Sequence, residues 1–458
     1  MASGGRSKGS GSGRGRAKNH NIILALIILL LLAAIMGVGL VSLASLSSGN
    51  SDEEKDNTQT GEVKTITIGS VGDVIIHDPF LRSGEYKKAD GSYDFGPCFT
   101  FMEELYGSQT FMVANLETTF AGKERGYSGY PLFNSPDSLP DSLSEKGVDL
   151  FLLANNHVYD TGKSGFLRTS QILEDKGYDY TGAYHEDRDK RYIIEDIDGI
   201  KVGFINYTYE TPGAGAKSIN GNPMDSSVAA YLNSFDPRDL DGFYKELRRQ
   251  VAMMRVAGAQ FVIFYPHWGE EYKLEAYGYT KDMAQKVCDL GVDAIIGGHP
   301  HVVEPVDVLT SKDGSHKTFV AYSMGNHISN QRREMISSMP TGHTEDGIMV
   351  SLQLTGSSLG KVDVTGIEIT PTWVYKKGQQ EPTYYVIPLD DVDNVEKVTG
   401  LSGIKADCQA SYERTEKIIG DGIKKAKAAY GLEKWEALTG ITLFCTTVHI
   451  WQSARSHR

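Results

Sequence analysis

The chain has 458 residues, and its 46 lysines and arginines are outnumbered by 59 aspartates and glutamates, which gives a formal net charge of −13. A chain this acidic lacks the general basic surface that sequence-independent binding to DNA or RNA requires, so nucleic acid is not an expected partner. Hydrophobic residues make up 40% of the chain, which is enough to bury a core and excludes a disordered protein.

The N-terminal segment is basic and is followed by a long apolar run. Residues 1–20 contain Arg6, Lys8, Arg14, Arg16 and Lys18 and no acidic residue, whereas residues 22–44 carry no charge. At about 1.5 Å per helical residue, this run is long enough for the roughly 30 Å hydrocarbon core of a bilayer. We therefore predict a cytoplasmic basic tail at residues 1–20, a transmembrane helix at residues 21–45 and a flexible linker at residues 46–62.

The charges on either side of the apolar run predict its orientation. Basic residues precede the run, and the acidic sequence SDEEKD follows it at residues 51–56. The positive-inside rule then predicts a single-pass protein of the cell membrane, with its main domain outside the cytoplasm. A cleaved signal peptide is the alternative, because Ser42-Leu43-Ala44 fits the small-x-small cleavage pattern. The run is longer than the usual apolar region of a signal peptide, at most about 15 residues, which favours a retained anchor.

The part of the chain after the linker repeats one kind of unit. Helical patterns at residues 139–146, 240–256 and 281–290 are each followed by a glycine, a short apolar run and a polar cluster. The alternation of helices with apolar strands predicts an α/β fold whose sheets are covered on both faces. Because ligands bind beyond the carboxyl ends of the strands in such sheets, we expect the polar clusters to converge there.

The residues that follow the predicted strands have the chemistry of metal ligands. They are Asp73, Glu117, Asn156, His267, His299 and His301. Imidazoles, carboxylates and a carboxamide form a mixed nitrogen and oxygen ligand set, which suits Zn, Mn or Fe and not calcium. Gly297 and Gly298 precede the His-x-His pair and would let the backbone pass close to the site. We therefore predict one or two divalent metal ions.

Six ordered motifs carry a resemblance to a known family. They read GDVIIHDP, ANLETTF, LLANNHVYDTG, HWGEEY, GGHPHVVEPVD and YSMGNHIS. This set resembles the bacterial capsule-biosynthesis CapA family, which is associated with poly-γ-glutamate synthesis and export, and the similarity runs over residues 65–350. It implies a fold similar to that of the calcineurin-like metallophosphoesterases, an αββα sandwich, at residues 63–372. From composition, residues 373–458 are predicted to be a C-terminal extension, first a strand and then helical.

The resemblance also implies the metal ligands. It assigns Asp73 and His301 to the first metal, Glu117 to the bridging position, and Asn156, His267 and His299 to the second metal. The sequence departs from the metallophosphoesterase pattern at two places. Glu117 stands where the pattern has a bridging aspartate, and the first metal position lacks one ligand. The opening Asp-x-His of the metallophosphoesterase pattern is here Asp73-Val74-Ile75, so one imidazole is missing, and His77 is displaced by two residues.

Further positions are predicted to be catalytic or to contact substrate. His157 matches the general acid of the metallophosphoesterase pattern, and Asp160 would orient it or cap the following helix. Trp268 and Glu271 would shape the substrate mouth, with core packing as the alternative for Trp268. Asn326 would belong to a loop that closes the site, or would stabilise a turn.

Three functions are compatible with these patterns. The first is a membrane-anchored extracytoplasmic protein of poly-γ-glutamate capsule synthesis or export, with a metal-dependent site that acts on the polymer or its anchor. The second is a metal-dependent hydrolase of phosphoesters or γ-glutamyl bonds that is unrelated to capsule assembly. The third is a non-enzymatic scaffold that docks to a membrane poly-γ-glutamate synthetase. The sequence identifies a site but no substrate.

Overall fold

The computed structural model describes residues 61–213 and 217–432. The predicted basic tail and transmembrane helix and nearly all of the predicted linker lie outside these residues, as does the end of the C-terminal extension. Within the described ranges, no helix combines the length and the apolar character that crossing a bilayer requires.

The described residues form eight α-helices and seventeen strands, and helices alternate with strands over only parts of the chain. The helices are α1 (Asp78–Arg82), α2 (Glu103–Gly107), α3 (Leu139–Glu145), α4 (Gly162–Asp175), α5 (Asp241–Val256), α6 (Thr280–Cys288), α7 (Val395–Thr399) and α8 (Lys405–Tyr430). The strands are β1 (Val63–Val74), β2 (Phe111–Leu116), β3 (Leu150–Leu152), β4 (Asp179–Thr181), β5 (Ile193–Ile197), β6 (Ile200–Tyr209), β7 (Ser218–Ile219), β8 (Asn222–Pro223), β9 (Ser234–Phe235), β10 (Phe261–His267), β11 (Ala294–Ile296), β12 (Val306–Thr310), β13 (Lys317–Ala321), β14 (Asn326–Ile328), β15 (Asp346–Ser357), β16 (Asp363–Lys377) and β17 (Thr383–Pro388).

Most strands form two mixed sheets, each with a parallel centre. The first sheet has the order β17-β16-β15-β1-β2-β3-β4, and β14 also pairs with β1. Its strands β1 to β4 are parallel, whereas β15, β16 and β17 add an antiparallel side. The second sheet has the order β12-β13-β11-β10-β6-β5, with β9 paired to β6. The central strands β6, β10, β11 and β13 are parallel, so their carboxyl ends meet at one edge.

The two sheets pack face to face and carry helices on their outer faces. Between the sheets, the rings of Phe111 and Phe204 lie 5.2 Å apart, and the Ser70 hydroxyl is 2.9 Å from the Tyr265 hydroxyl. Leu143 of α3 and Phe166 of α4 lie in the apolar cluster on the outer face of the first sheet, and α5 and α6 contribute to the cluster on the second. The predicted α/β sandwich, with layers in the order αββα, is confirmed.

The predicted helix-to-strand units are present at α3, α5 and α6. Each helix ends just before a glycine whose φ is positive, 113° at Gly147, 98° at Gly258 and 81° at Gly291. A left-handed residue at this place lets the chain reverse out of the last helical turn, and glycine adopts it without the steric penalty of a side chain. The apolar run that follows therefore enters its sheet at once as β3, β10 or β11.

The C-terminal region is more closely integrated than the sequence predicts. The boundary predicted at residue 373 falls inside β16, and both β16 and β17 extend the first sheet. The long helix α8 packs against β12 and β16 and buries Ile419 and Ala426 in the core between the sheets. After residue 373 the described chain forms the end of β16 and then β17, α7 and α8, and this part belongs to the same compact unit as the sandwich.

Candidate metal centre

The strand register places the first polar residues side by side. Asp73 near the end of β1 is in register with Asn115 on β2 and with Asn326 on β14. Glu117 follows β2 directly, and Asn156 follows β3 after a short turn. On the second sheet, His267 ends β10 and forms a bridge to Gly298, which precedes the His-x-His pair.

Two buried carboxylates lie at the centre of the site. Asp73 is fully buried, and its carboxylate accepts hydrogen bonds from the Asn115 amide at 2.7 Å and from the backbone N–H of His299 at 3.2 Å. Glu117 is also fully buried, but no described residue donates a hydrogen bond to either of its carboxylate oxygens. A buried carboxylate without a donor is costly, so Glu117 indicates a missing positive partner.

Imidazoles surround the Glu117 carboxylate. His267 Nε2 is 3.8 Å from Glu117 Oε1 and 2.9 Å from Asn156 Oδ1. His301 Nε2 is 3.7 Å from the same Glu117 oxygen, while His301 Nδ1 is 3.3 Å from Asp73 Oδ2. The structure therefore brings together side chains that lie more than two hundred positions apart in sequence, as the strand-end pattern predicts.

Burial sets the protonation of these groups. Burial, followed by the charges of Asp73 and Glu271, raises the pKa of the Glu117 carboxyl well above its usual range. Burial and neighbouring imidazoles lower the pKa values of His267 and His299 well below the usual range, so both rings are neutral near pH 7. Burial also acts to lower the pKa of His301, but the hydrogen bond and charge of Asp73 outweigh it and raise the value. Neutral rings keep a lone pair available for a metal.

The backbone of the His-x-His pair adopts a strained conformation. His299 has a φ of 100° and His301 a φ of 55°, a region that residues with a side chain rarely adopt. A Cβ atom on Gly298 would come within 2.8 Å of Asp73 Oδ1, so only glycine permits this close approach. The predicted reason for the preceding glycine is confirmed at this position.

His157 lies beside the carboxylates and is held by Asp160. His157 Nδ1 is 2.7 Å from Asp160 Oδ2, which also accepts the backbone N–H of Phe133 at 2.7 Å. His157 Nε2 then faces Glu117 Oε1 at 4.0 Å. Of the two roles predicted for Asp160, the structure shows the contact with His157. It shows no side-chain cap at the start of α4, the role that the alternative requires.

Two groups of side chains have ligand atoms close enough to share an ion. One group is Asp73, Glu117 and His267, and the other is Glu271, His299 and His301; within each group all ligand atoms lie within 4.8 Å of one another. The donors are nitrogens and carboxylate oxygens, the set expected for Zn, Mn or Fe. The grouping differs from the one that the resemblance implies, and the individual metal roles stay predictions.

The residues predicted to contact substrate fall in three different places. Trp268 does not line an opening: its side chain is fully buried in the core outside the second sheet, and its indole N–H donates to the Tyr322 carbonyl. Asn326 is also buried and lies behind His301, with its Oδ1 atom 3.1 Å from His301 Nδ1. Glu271 is exposed at the mouth, but its carboxylate is oriented toward the imidazoles.

Sequence reasoning missed Asn115 and Tyr209, which border the cluster, and the structure places the displaced His77 beside it as well. Asn115 donates to Asp73, the ring of Tyr209 lies 4.7 Å from the ring of His299, and His77 accepts the backbone N–H of Asn330 through Nδ1. Burial, followed by the charge of His301, lowers the pKa of His77 to about 3. Tyr209 ends β6, so the strand-end rule applied to the run IKVGFINYTY would have found it.

Glu304 is a second buried carboxyl without a donor, and it predicts a pH-dependent stability. No described residue donates a hydrogen bond to its carboxylate oxygens, and burial raises its pKa from 4.5 to about 8. Between pH 4.5 and about pH 8, Glu304 is therefore protonated in the folded protein but ionised in the unfolded chain. The free energy of unfolding falls as pH rises through that range. We expect Glu304→Gln to stabilise the protein by roughly 3–5 kcal/mol at pH 8 and by little at pH 4. Urea unfolding at both pH values measures this, and an equal effect at both would contradict it.

Comparison with known proteins agrees with the ordered motifs. A family described as bacterial capsule synthesis protein PGA_cap matches residues 67–331, more than half of the chain. The PGA biosynthesis protein CapA of Bacillus subtilis strain 168 is 24% identical over 358 residues, which cover 76% of this chain and 84% of that protein. The capsule biosynthesis protein CapA of Bacillus anthracis is 27% identical over 229 residues, 50% of this chain and 49% of that protein.

Two solved structures are distantly similar. The calcineurin-like phosphoesterase YfkN of Bacillus subtilis has a TM-score of 0.34 at 12% identity and covers 78% of this chain and 100% of that chain. The sulfate thiohydrolase SoxB of Thermus thermophilus has a TM-score of 0.36 at 12% identity, over 77% of this chain and 60% of that chain. Both are too distant to support an argument about the chemistry of this site. Because the PGA_cap family matches more than half of its length, the chain belongs to this family of bacterial capsule synthesis proteins.

Proposed function

We propose that the chain is a membrane-anchored extracytoplasmic protein of poly-γ-glutamate capsule synthesis, and that its strand-end cluster is a metal-dependent hydrolytic site acting on the polymer or its anchor. One observation carries the proposal. Glu117 is a fully buried carboxylate that no described residue satisfies, and the imidazoles of His157, His267 and His301 lie around it together with the Asp73 carboxylate. Such an arrangement is stable in a folded protein when a cation is present.

The residues fit a divalent metal. Asp73, Glu117 and His267 would hold it, with the Asn156 amide oxygen beside His267 as a further donor. A cation bound there would act as a Lewis acid toward the carbonyl or phosphoryl oxygen of the group that water attacks. It would also reduce the repulsion between a chain of net charge −13 and a polyanionic substrate.

The remaining chemistry belongs to His157 and Asp160. The short contact between Asp160 Oδ2 and His157 Nδ1 fixes the ring orientation and favours a proton on Nδ1. His157 Nε2 is left to face the cluster, where it would donate a proton to the leaving group while water adds across the cleaved bond.

Metal content and hydrolysis, measured on the same purified full-length protein, test the proposal. We expect Mn²⁺ or Zn²⁺ to bind, and we expect poly-γ-glutamate to shorten, or a chromogenic phosphodiester to be cleaved, only with metal present. Cleavage of the phosphodiester alone, with capsule formation unaffected by loss of the protein, would favour a hydrolase unrelated to capsule. Absence of bound metal would favour a scaffold for a membrane synthetase and would contradict the proposed site.

The anchor is tested separately. We expect full-length protein to stay in the membrane pellet after alkaline carbonate extraction and a variant lacking residues 1–45 to be released, because the long uncharged run lies at residues 22–44. The mass of the mature protein distinguishes a retained anchor from a signal peptide cleaved after Ala44. Release of the full-length, uncleaved protein by carbonate would contradict the anchor.

A further inference from the structure

A tightly held loop follows the strand end that carries Glu117. It spans residues 120–133, and the side chain of Asn134, which is fully buried, holds it from inside. The Asn134 amide group exchanges hydrogen bonds of 2.7–3.1 Å with three backbone groups of the loop, those of Ala121, Gly122 and Gly126. Backbone hydrogen bonds run in both directions between Ser128 and Asn134. The loop is therefore ordered by its own hydrogen bonds.

Contacts on two sides fix the position of this loop. On one side, the backbone N–H of Gly129 donates to Asp78 Oδ1 at 2.7 Å, and a Cβ atom on Gly129 would come within 2.4 Å of the Asp78 backbone nitrogen. On the other side, the ring of Phe133 meets the ring of His157 edge-on at 4.7 Å. The loop thus has a defined place beside the proposed proton donor.

The loop presents an aromatic side chain to solvent. Tyr130 is 73% exposed, and the neighbouring Leu132 is also exposed. The Tyr130 ring meets the ring of Phe133 at 6.5 Å, and Phe133 in turn contacts His157. An aromatic ring offers a large contact area and a hydroxyl group, and a rigid loop loses little entropy when a ligand binds to it. A ring held in this way at the mouth of a site is typical of a substrate contact.

A second tyrosine borders the cluster beside His301. The ring of Tyr272 lies 6.3 Å from the ring of His301, and its backbone N–H donates to the Pro300 carbonyl at 2.8 Å. Burial, followed by the charge and hydrogen bond of Glu271, raises the pKa of the Tyr272 hydroxyl, and the charge of Tyr130 adds to this shift. Tyr130 is therefore close enough to Tyr272 to act on it, so the mouth has an aromatic side chain near each of two histidines.

The position of Tyr130 favours a long ligand. Its ring reaches His157 only through the ring of Phe133, so a molecule cleaved beside His157 contacts Tyr130 only if it extends across Phe133. A small phosphate ester does not extend so far, whereas a polymer chain does. The loop also carries the exposed Lys123 and Arg125 against one acid, Glu124, a net charge of +1 in a chain of −13. This local charge is complementary to a polyanion.

We propose that Tyr130 binds a γ-glutamyl chain beyond the bond that is cleaved, with its ring against the methylene and amide groups of the chain. The inference rests on the function proposed above, because it describes how the same site receives a polymer. It makes Tyr130 a substrate-binding residue whose contribution depends on the length of the ligand.

Tyr130→Ala and two ligand lengths test the inference together. A γ-glutamyl dipeptide and a γ-glutamyl decamer are titrated calorimetrically, with Mn²⁺ present, into full-length protein carrying His157→Ala, which we expect to hold metal without cleaving the ligand. We expect the added Tyr130→Ala to weaken decamer binding roughly tenfold, the size of effect that truncating an aromatic contact commonly has, and to leave dipeptide binding unchanged. Tyr130→Phe should keep the decamer affinity, because the ring supplies most of the contact area.

Leu359→Ala is the matched control, since Leu359 is 72% exposed and lies between β15 and β16. This turn adjoins Val63 at the amino end of β1, about 30 Å along the strand from Asp73. Leu359→Ala should bind both ligands as the His157→Ala protein does. Because Tyr130 is exposed, we expect Tyr130→Ala to unfold at the temperature of its parent, so that lost binding cannot be attributed to misfolding.

The outcomes separate this inference from the proposed function. Unchanged decamer binding in Tyr130→Ala, equal weakening of both ligands, or the same loss in Tyr130→Phe would overturn the role of Tyr130. If wild type nevertheless shortens poly-γ-glutamate, the proposed function stands without it. Length-dependent binding through Tyr130 in a protein that cleaves nothing would contradict the hydrolytic function and support the inference. A protein that neither binds the decamer nor cleaves the polymer would overturn both.

Discussion

Glu117→Gln is expected to abolish metal binding while making the metal-free protein more stable. The carboxylate is fully buried without a donor, so its neutral replacement removes an unfavourable charge, and the new amide can donate to Asp73. We expect a gain of roughly 1–3 kcal/mol in the free energy of unfolding without metal. With free metal at 1,000 times its dissociation constant, wild type should gain about 4 kcal/mol and the variant nothing. Denaturant unfolding with and without Mn²⁺ measures both effects.

Glu304→Gln is the matched control for this experiment. Glu304 is also a buried carboxyl that no described residue satisfies, but it does not belong to either ligand group. The Glu304→Gln variant should be more stable than wild type at neutral pH, and metal should stabilise it as much as it stabilises wild type. If Glu117→Gln responds to Mn²⁺ as wild type does, Glu117 is not a ligand and the proposed site is wrong.

His157→Ala is expected to lower the rate of hydrolysis by about 10²–10⁴-fold and to leave metal content unchanged. The imidazole touches Asp160 and faces Glu117, but it belongs to neither ligand group. Removing it therefore takes away the proton donor and not the metal. The assay is metal-dependent cleavage of poly-γ-glutamate or of a phosphodiester, with elemental analysis of the same sample.

His185→Ala controls for loss of a histidine outside the cluster, since His185 contacts Glu174 and Tyr180 at the surface. It should match wild type in rate and in metal content. Loss of metal in His157→Ala would make His157 a ligand, and a normal rate would show that the proton comes from another group.

The strand ends of this fold could be predicted because the physical signal is local. An apolar run of the right length followed at once by Asp73, Glu117 or His267 is visible in the sequence, and parallel strands must bring their carboxyl ends to one edge. The glycines that end α3, α5 and α6 were equally visible, since a left-handed residue is needed where a helix turns directly into a strand.

The remaining features depend on contacts that are distant in sequence. Trp268 follows His267, but successive residues of a strand point to opposite faces, so the indole enters the outer core while the imidazole enters the site. The position of Glu271 depends on the hydrogen bond from Tyr272 to Pro300, which no local pattern predicts. The strand β16 runs as a single long strand across residue 373, where the composition of the sequence changes, and no local pattern shows that continuity.

The ligands of the site are divided between the two layers of the sandwich. Asp73, Glu117 and Asn156 lie at or after the ends of strands of the first sheet, whereas His267, His299 and His301 lie at or after the ends of strands of the second. A cation shared by Asp73, Glu117 and His267 would therefore cross-link the two sheets, much as a disulfide joins two layers. Adding metal should slow amide hydrogen exchange at this edge of both sheets together, whereas removing it with a chelator should let the two edges open independently. Metal occupancy would then determine how tightly the two sheets are coupled.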